Sequence, residues 1–74
     1  MRDKQQKFIE IAEKRVTRLL NDIRLIGNLS NRNNYEYTTA DVTKIFSAIE
    51  SELKTSRKRF DVALSSDDKR FKLR

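Results

Sequence analysis

The sequence predicts an all-α protein: an antiparallel, coiled-coil-like αα-hairpin that pairs into a dimeric four-helix bundle. The first observation is a repeat. Ile9, Ala12, Val16, Leu19, Ile23 and Ile26 follow one another in alternating steps of three and four, and so do Val42, Phe46, Ile49, Leu53, Ser56 and Phe60. Such spacing turns one side of a helix toward a partner helix. The second is the order of the two sets. Folding the chain back on itself matches Ile26 with Val42, Ile23 with Phe46, Leu19 with Ile49, Val16 with Leu53, Ala12 with Ser56 and Ile9 with Phe60. The third is a set of flanking apolar residues, Phe8 and Leu20 beside the first stripe and Ile45 and Leu64 beside the second. They make each apolar face wider than one partner helix covers, so two hairpins packed face to face are expected to close the core. Phe8, Leu19, Leu20, Ile45, Phe46, Ile49 and Leu53 are the expected core and dimer residues.

The first helix is expected over residues 3–26. Asp3 sits near its positive end, and Gly27 is expected to close it in the left-handed conformation that glycine adopts readily. The second helix is expected over 38–64. Thr38 offers a capping hydroxyl, Asp41 occupies the acidic slot three residues on, and Tyr37 and Val42 stand at the two positions of a hydrophobic staple. The loop 27–37 between them exceeds the two to eight residues usual in helical bundles. Its four asparagines, Asn28, Asn31, Asn33 and Asn34, suit a locally structured turn; equally, Arg32, Asn33, Asn34 and Tyr35 can form a partner-binding loop. Residues 1–64 thus read as the hairpin and 65–74 as a basic C-terminal tail.

Size and composition narrow the rest. A chain of 74 residues is one domain, and a core this small supplies only about 3 to 5 kcal/mol. With neither cysteine nor histidine, disulfides and a structural zinc site are excluded, leaving oligomerisation as the common supplement. Histidine and cysteine are also the usual general base and thiol nucleophile, no carboxylate pair lies on an apolar face, and a single glycine forms no phosphate loop. A non-enzymatic protein without cofactor, metal or small-molecule substrate is expected. No apolar run resembles a signal peptide or a membrane span, so a cytoplasmic protein with no membrane partner is expected.

Seventeen basic against eleven acidic residues give a formal charge of +6, which favours acidic or polyanionic partners. Lys4, Lys7, Lys14, Arg15 and Arg18 fall opposite the first stripe, with Ile11 among them. Arg57, Lys58 and Arg59 are consecutive, and Lys69, Arg70, Phe71 and Lys72 lie in the tail. These residues are the expected contacts to nucleic acid or an acidic partner, Phe71 being available to stack on a base. A lysine-rich outer face is also the ordinary solvated side of a helix. Glu10 with Lys14, and Glu50 with Lys54, have the spacing of helix-surface ion pairs.

The stretch RLIGNLSNRNNYEYTTADVTKIFSAIESEL resembles a family of short uncharacterised bacterial and mobile-element proteins that share an IRLIGNLSNRSNYEYT core, followed by an acidic-start helix and a KIFxALExEL phrase. The resemblance runs from about Phe8 to Phe60 and departs at Asn33, where the pattern has serine. It implies a bacterial setting and no particular activity or binding residue. The functional expectation is a small helical interaction protein, an accessory, inhibitory or regulatory factor docking on a larger protein or nucleoprotein complex. The alternatives are a sequence-nonspecific nucleic-acid binder and a purely structural self-assembly domain.

Overall fold

A computed structural model describes residues 3–65, and within them the backbone is helical except for one short connection. Helix α1 spans Asp3–Gly27, a 3-10 turn follows over Asn28–Ser30, and helix α2 spans Thr39–Ser65. The chain divides into two units, Met1–Glu36 and Tyr37–Arg74.

In the first unit α1 has 25 residues, about 38 Å at 1.5 Å per residue. Asp3 in its first turn and Arg24 in its last have the signs that oppose the helix dipole. Between them Gln6 donates from Nε2 to Glu10 Oε2 at 3.2 Å, one turn along the surface. Glu10 thus has a neutral donor one turn before it and Lys14 one turn after it along the same surface.

The end of α1 corrects one expectation. Gly27 is right-handed, with φ −59° and ψ −31°, and no described residue has a positive φ. The helix absorbs the glycine and tightens into the 3-10 turn, and the chain becomes extended only at Asn31, with φ −69° and ψ 104°. Four residues expected in the loop, Gly27, Asn28, Leu29 and Ser30, are therefore helical. A 3-10 turn meets some of the carbonyls that a helix end leaves unpaired, so no left-handed residue is needed.

In the second unit the start of α2 follows the residues singled out for it. Thr38 Oγ1 accepts from the Asp41 amide at 3.1 Å, and Asp41 Oδ2 accepts from the Thr38 amide at 2.9 Å, the reciprocal pair of a capping box. The Val42 amide donates to the Thr38 carbonyl at 3.2 Å, which opens the helical ladder. Tyr37, just before the cap, is half-buried. At the far end Ser65 Oγ donates to the Val62 carbonyl at 3.2 Å, and the helix runs one residue beyond the expected limit. Of the expected C-terminal tail, 66–74 lie outside the described residues, so Lys69, Arg70, Phe71 and Lys72 have no structural counterpart here.

No described side chain is buried. Ala12, Ile26, Tyr37, Ile49 and Ser65 are half-covered, and the remaining stripe residues are exposed.

Two substitutions test the helix ends. A Cβ at Gly27 would have no neighbour within 4 Å, and its backbone suits any residue. Gly27→Ala is expected to raise stability by about 0.5 to 1 kcal/mol in urea denaturation; a loss of that size would mean that Gly27 is left-handed in solution. Thr38→Ala is expected to lower stability by about 1 kcal/mol through loss of the cap, and an unchanged midpoint would contradict the capping geometry.

Candidate functional site

Two kinds of surface need a functional account: the charged sides of the helices and the loop. On a helix, neighbours in sequence diverge by about 100° around the axis, while residues three and four apart share a side. This rule separates the expected basic residues into those that act together and those that do not.

On α1, Lys7, Lys14 and Arg18 stand in one line with Ile11, with Lys4 and Arg15 beside it. Carboxylates border that ridge. Glu10 lies next to Lys7 and Lys14, and Asp22 follows Arg18 one turn later. A shallow depression on this flank is lined by Glu10, Glu13, Lys14, Thr17, Arg18 and Asn21, and so mixes both signs. The ridge has the character of an ordinary solvated face with a basic bias.

On α2, the consecutive Arg57, Lys58 and Arg59 do not make one patch. Their side chains leave the helix at three bearings about 100° apart. Arg57 Nε lies 3.5 Å from Asp61 Oδ1 across one turn, both side chains being largely solvated. Such exposed pairs contribute only a few tenths of a kcal/mol, but this one places a carboxylate beside Arg57. Lys58 shares its side of α2 with Lys44 and Lys54, two residues absent from the expected set. Their separations of ten and four residues carry the signal, which a search for runs of adjacent charges passes over.

The loop is organised by Asn31. Its side-chain Oδ1 accepts from the Asn33 amide at 2.9 Å, and its carbonyl accepts from the amides of Asn34 at 3.1 Å and Tyr35 at 3.0 Å. One residue thus meets three successive amides, two from Asn33 and Asn34 and the third from Tyr35. This is the side-chain turn that asparagine forms with backbone two residues on. The arrangement accounts for the loop's asparagine content locally. It also fixes Arg32, Asn33, Asn34, Tyr35 and Glu36 around a shallow open depression, with Tyr35 half exposed at 49%. The four residues expected to bind a partner are therefore held together on one short segment.

The expected core residues form the apolar sides of the two helices, and each helix carries its own stripe. Phe8 is 57% exposed, Leu19 and Leu20 47%, Phe46 41% and Leu53 60%, with Ile45 similar to Phe46 and Ile49 half-covered. Among the described residues no group of three or more histidine, cysteine, aspartate or glutamate side chains is placed to hold a metal ion, and no helix is long and apolar enough to cross a membrane. No protein-family model matches the chain, nor does any curated protein or solved structure.

The loop geometry has a direct test. In Asn31→Ala the carbonyl bonds to Asn34 and Tyr35 survive, but the Asn33 amide loses its acceptor. Hydrogen exchange at Asn33 is expected to accelerate by about tenfold, the equivalent of about 1.4 kcal/mol, with smaller changes at Asn34 and Tyr35. Equal acceleration at all three amides would show that the side chain holds the whole turn.

Proposed function

We propose that α1 and α2 fold together as an antiparallel hairpin, that two copies close into a four-helix bundle, and that this bundle is a non-enzymatic interaction module. Its role is that of an accessory or regulatory factor docking on a larger protein or nucleoprotein complex. The observation that carries the reading is the apolar side of each helix, where Phe8, Leu19, Leu20, Ile45, Phe46 and Leu53 are all about two-fifths to three-fifths exposed.

Isolated helices are marginal in water, and most helical stability in proteins comes from covering an amphipathic face. Each large apolar side chain that is fully covered contributes roughly 1.5 to 3 kcal/mol. The reverse-order matching of the two stripes gives α1 and α2 the means to cover each other. Their nearly equal lengths, 25 and 27 residues, suit that pairing. So does the non-helical segment from Asn31 to the Thr38 cap, which opens with a turn over 31–35 and is long enough to reverse the chain.

A second copy follows from the width of the faces. On α1 the apolar residues from Phe8 and Ile26 on one border to Leu20 on the other spread over about 120° of the helix, wider than the seam of a two-helix coiled coil. On α2 Ile45 widens the stripe to about 100°, and Leu64 extends its Phe46 border toward the C-terminus. Such faces suit packing against two neighbours, as in a four-helix bundle. The charged sides and the Asn31–Glu36 loop then face outward, where a partner can reach them. The bacterial and mobile-element setting implied by the sequence resemblance is compatible with a small accessory factor.

Leu19→Asp places a carboxylate at the middle of the proposed core. It is expected to abolish dimerisation and helix content together, because an unpaired charge does not remain ionised in an apolar interior without severe destabilisation. Lys14→Asp, on the outer side of the same helix, is expected to leave both unchanged. Sedimentation velocity combined with circular dichroism reads the outcome. A monomeric, fully helical Leu19→Asp protein would sink the bundle, as would equal effects of the two substitutions.

A further inference from the structure

Helix α2 carries a second regular stripe on the side away from its apolar one. Lys44, Ser47, Ser51, Lys54 and Lys58 succeed one another in steps of three, four, three and four. With Thr55 at its border this stripe occupies about 100° of the helix surface. Every one of these residues is exposed, and the arc contains no aspartate or glutamate. Two carboxylates border it: Glu50, four residues before Lys54, and Asp61, which lies 3.5 Å from the Arg57 guanidinium. On the α1 ridge Glu10 stands at the edge in the same way, and Asp22 lies in line with the basic residues one turn past Arg18.

We infer that this stripe is a binding surface for the phosphate backbone of a nucleic acid duplex, read without regard to base sequence. Three features select that ligand. The side chains are donors in kind: the lysine ammonium groups supply charge, and the serine hydroxyls between them supply neutral hydrogen bonds, the two types of side chain that commonly meet phosphate oxygens. The stripe is straight and extends from Lys44 to Lys58, about 21 Å along the axis, a length over which a duplex presents roughly twelve phosphates. It holds no arginine and no aromatic side chain, the residues that bidentate carboxylate recognition and base stacking draw on. A protein partner would present carboxylates at irregular positions and apolar contacts among them, whereas a duplex presents only repeated charge to a face of this composition. The centre of the stripe lies about 160° from that of the apolar stripe, so whatever covers the apolar side leaves the lysines outward. The inference therefore goes beyond the bundle reading and does not require it.

The test measures binding of the full chain to a fluorescent mixed-sequence DNA duplex by anisotropy, between about 50 and 200 mM salt. Each lysine that neutralises a phosphate contributes about −0.9 to the slope of log K against log salt. The combined variant Lys44→Gln, Lys54→Gln and Lys58→Gln is expected to flatten the slope by about 2.7, three contacts at that value. A charge-matched variant on α1, Lys7→Gln, Lys14→Gln and Arg18→Gln, is expected to change it by less than one contact. Ser47→Ala with Ser51→Ala is expected to weaken binding and keep the slope. Equal flattening by both lysine variants would reduce the effect to net charge and overturn the assignment. So would wild-type binding by the α2 variant, absence of binding at the lowest salt, or competition by polyglutamate as effective, charge for charge, as unlabelled duplex.

A measurement on the unaltered protein removes any dependence on how the variants fold. Amine-reactive labelling read by mass spectrometry is expected to show Lys44, Lys54 and Lys58 protected when duplex is added, while Lys7 and Lys14 stay reactive. Protection of the α1 lysines with continued labelling of the α2 set would overturn the proposal. Sedimentation of the same samples without DNA reports on the bundle separately: a monomer that still protects the α2 lysines leaves this inference standing and removes the bundle, and a dimer that protects none does the reverse.

Discussion

Everything in this protein depends on where two apolar helix faces find cover. The chain is 38% charged, contains no cysteine or histidine for a covalent or metal staple, and has a helix on each side of a short connection. Capping, dipole complementarity and surface pairs typically add about 1 kcal/mol or less apiece, and several add only tenths. Those contributions decide where the helices begin and end. They do not make helices of this length stable in water, because the entropy of ordering each residue, roughly 1 to 2 kcal/mol for the backbone, must be offset by removing apolar surface from solvent. Leu19, Phe46, Leu53 and their neighbours are the groups able to supply that offset, and they do so only against other apolar surface.

The local structure shows how much is settled before any such packing. Thr38 and Asp41 close the capping box by themselves, through two bonds of 3.1 and 2.9 Å. Asn31 meets three successive amides through its own side chain and carbonyl. The first belongs to the start of the second unit and the second to the end of the first, and each is formed within its own few residues. The Asn31 turn holds the backbone of 31–35 locally and leaves the side chains from Arg32 to Glu36 solvated.

The helices were legible in the sequence because an apolar period near 3.6 over more than twenty residues has few competing explanations. The start of α2 was legible too, since Tyr37, Thr38, Asp41 and Val42 each occupy a position with its own physical reason. The end of α1 was not. A lone glycine after an apolar run is the usual mark of a left-handed cap, but glycine also accepts right-handed backbone, and here the chain continues through it into a 3-10 turn. Nothing in the composition of Gly27, Asn28 and Leu29 distinguishes the two endings. The charged surface was legible only in part. Adjacent arginines and lysines at positions 57 to 59 suggested one cluster, yet the helix sends them in three directions, and Lys58 joins Lys44 and Lys54 instead. Periodicity governs polar side chains as strictly as apolar ones.

Separating the two stripes of α2 also separates the two proposals made for it, assembly through the apolar stripe and ligand binding through the lysine-serine one, and a helix can serve both because the stripes lie on nearly opposite sides. In the proposed bundle, helix formation is coupled to covering the apolar faces by a second copy. Circular dichroism of the wild-type protein over a dilution series tests that coupling most directly. Coupling predicts that ellipticity at the helix band falls cooperatively as the concentration drops below the dimer dissociation constant. Ellipticity that stays constant through dilution, with sedimentation at the same concentrations giving the 8.8 kDa of a single chain throughout, would contradict it.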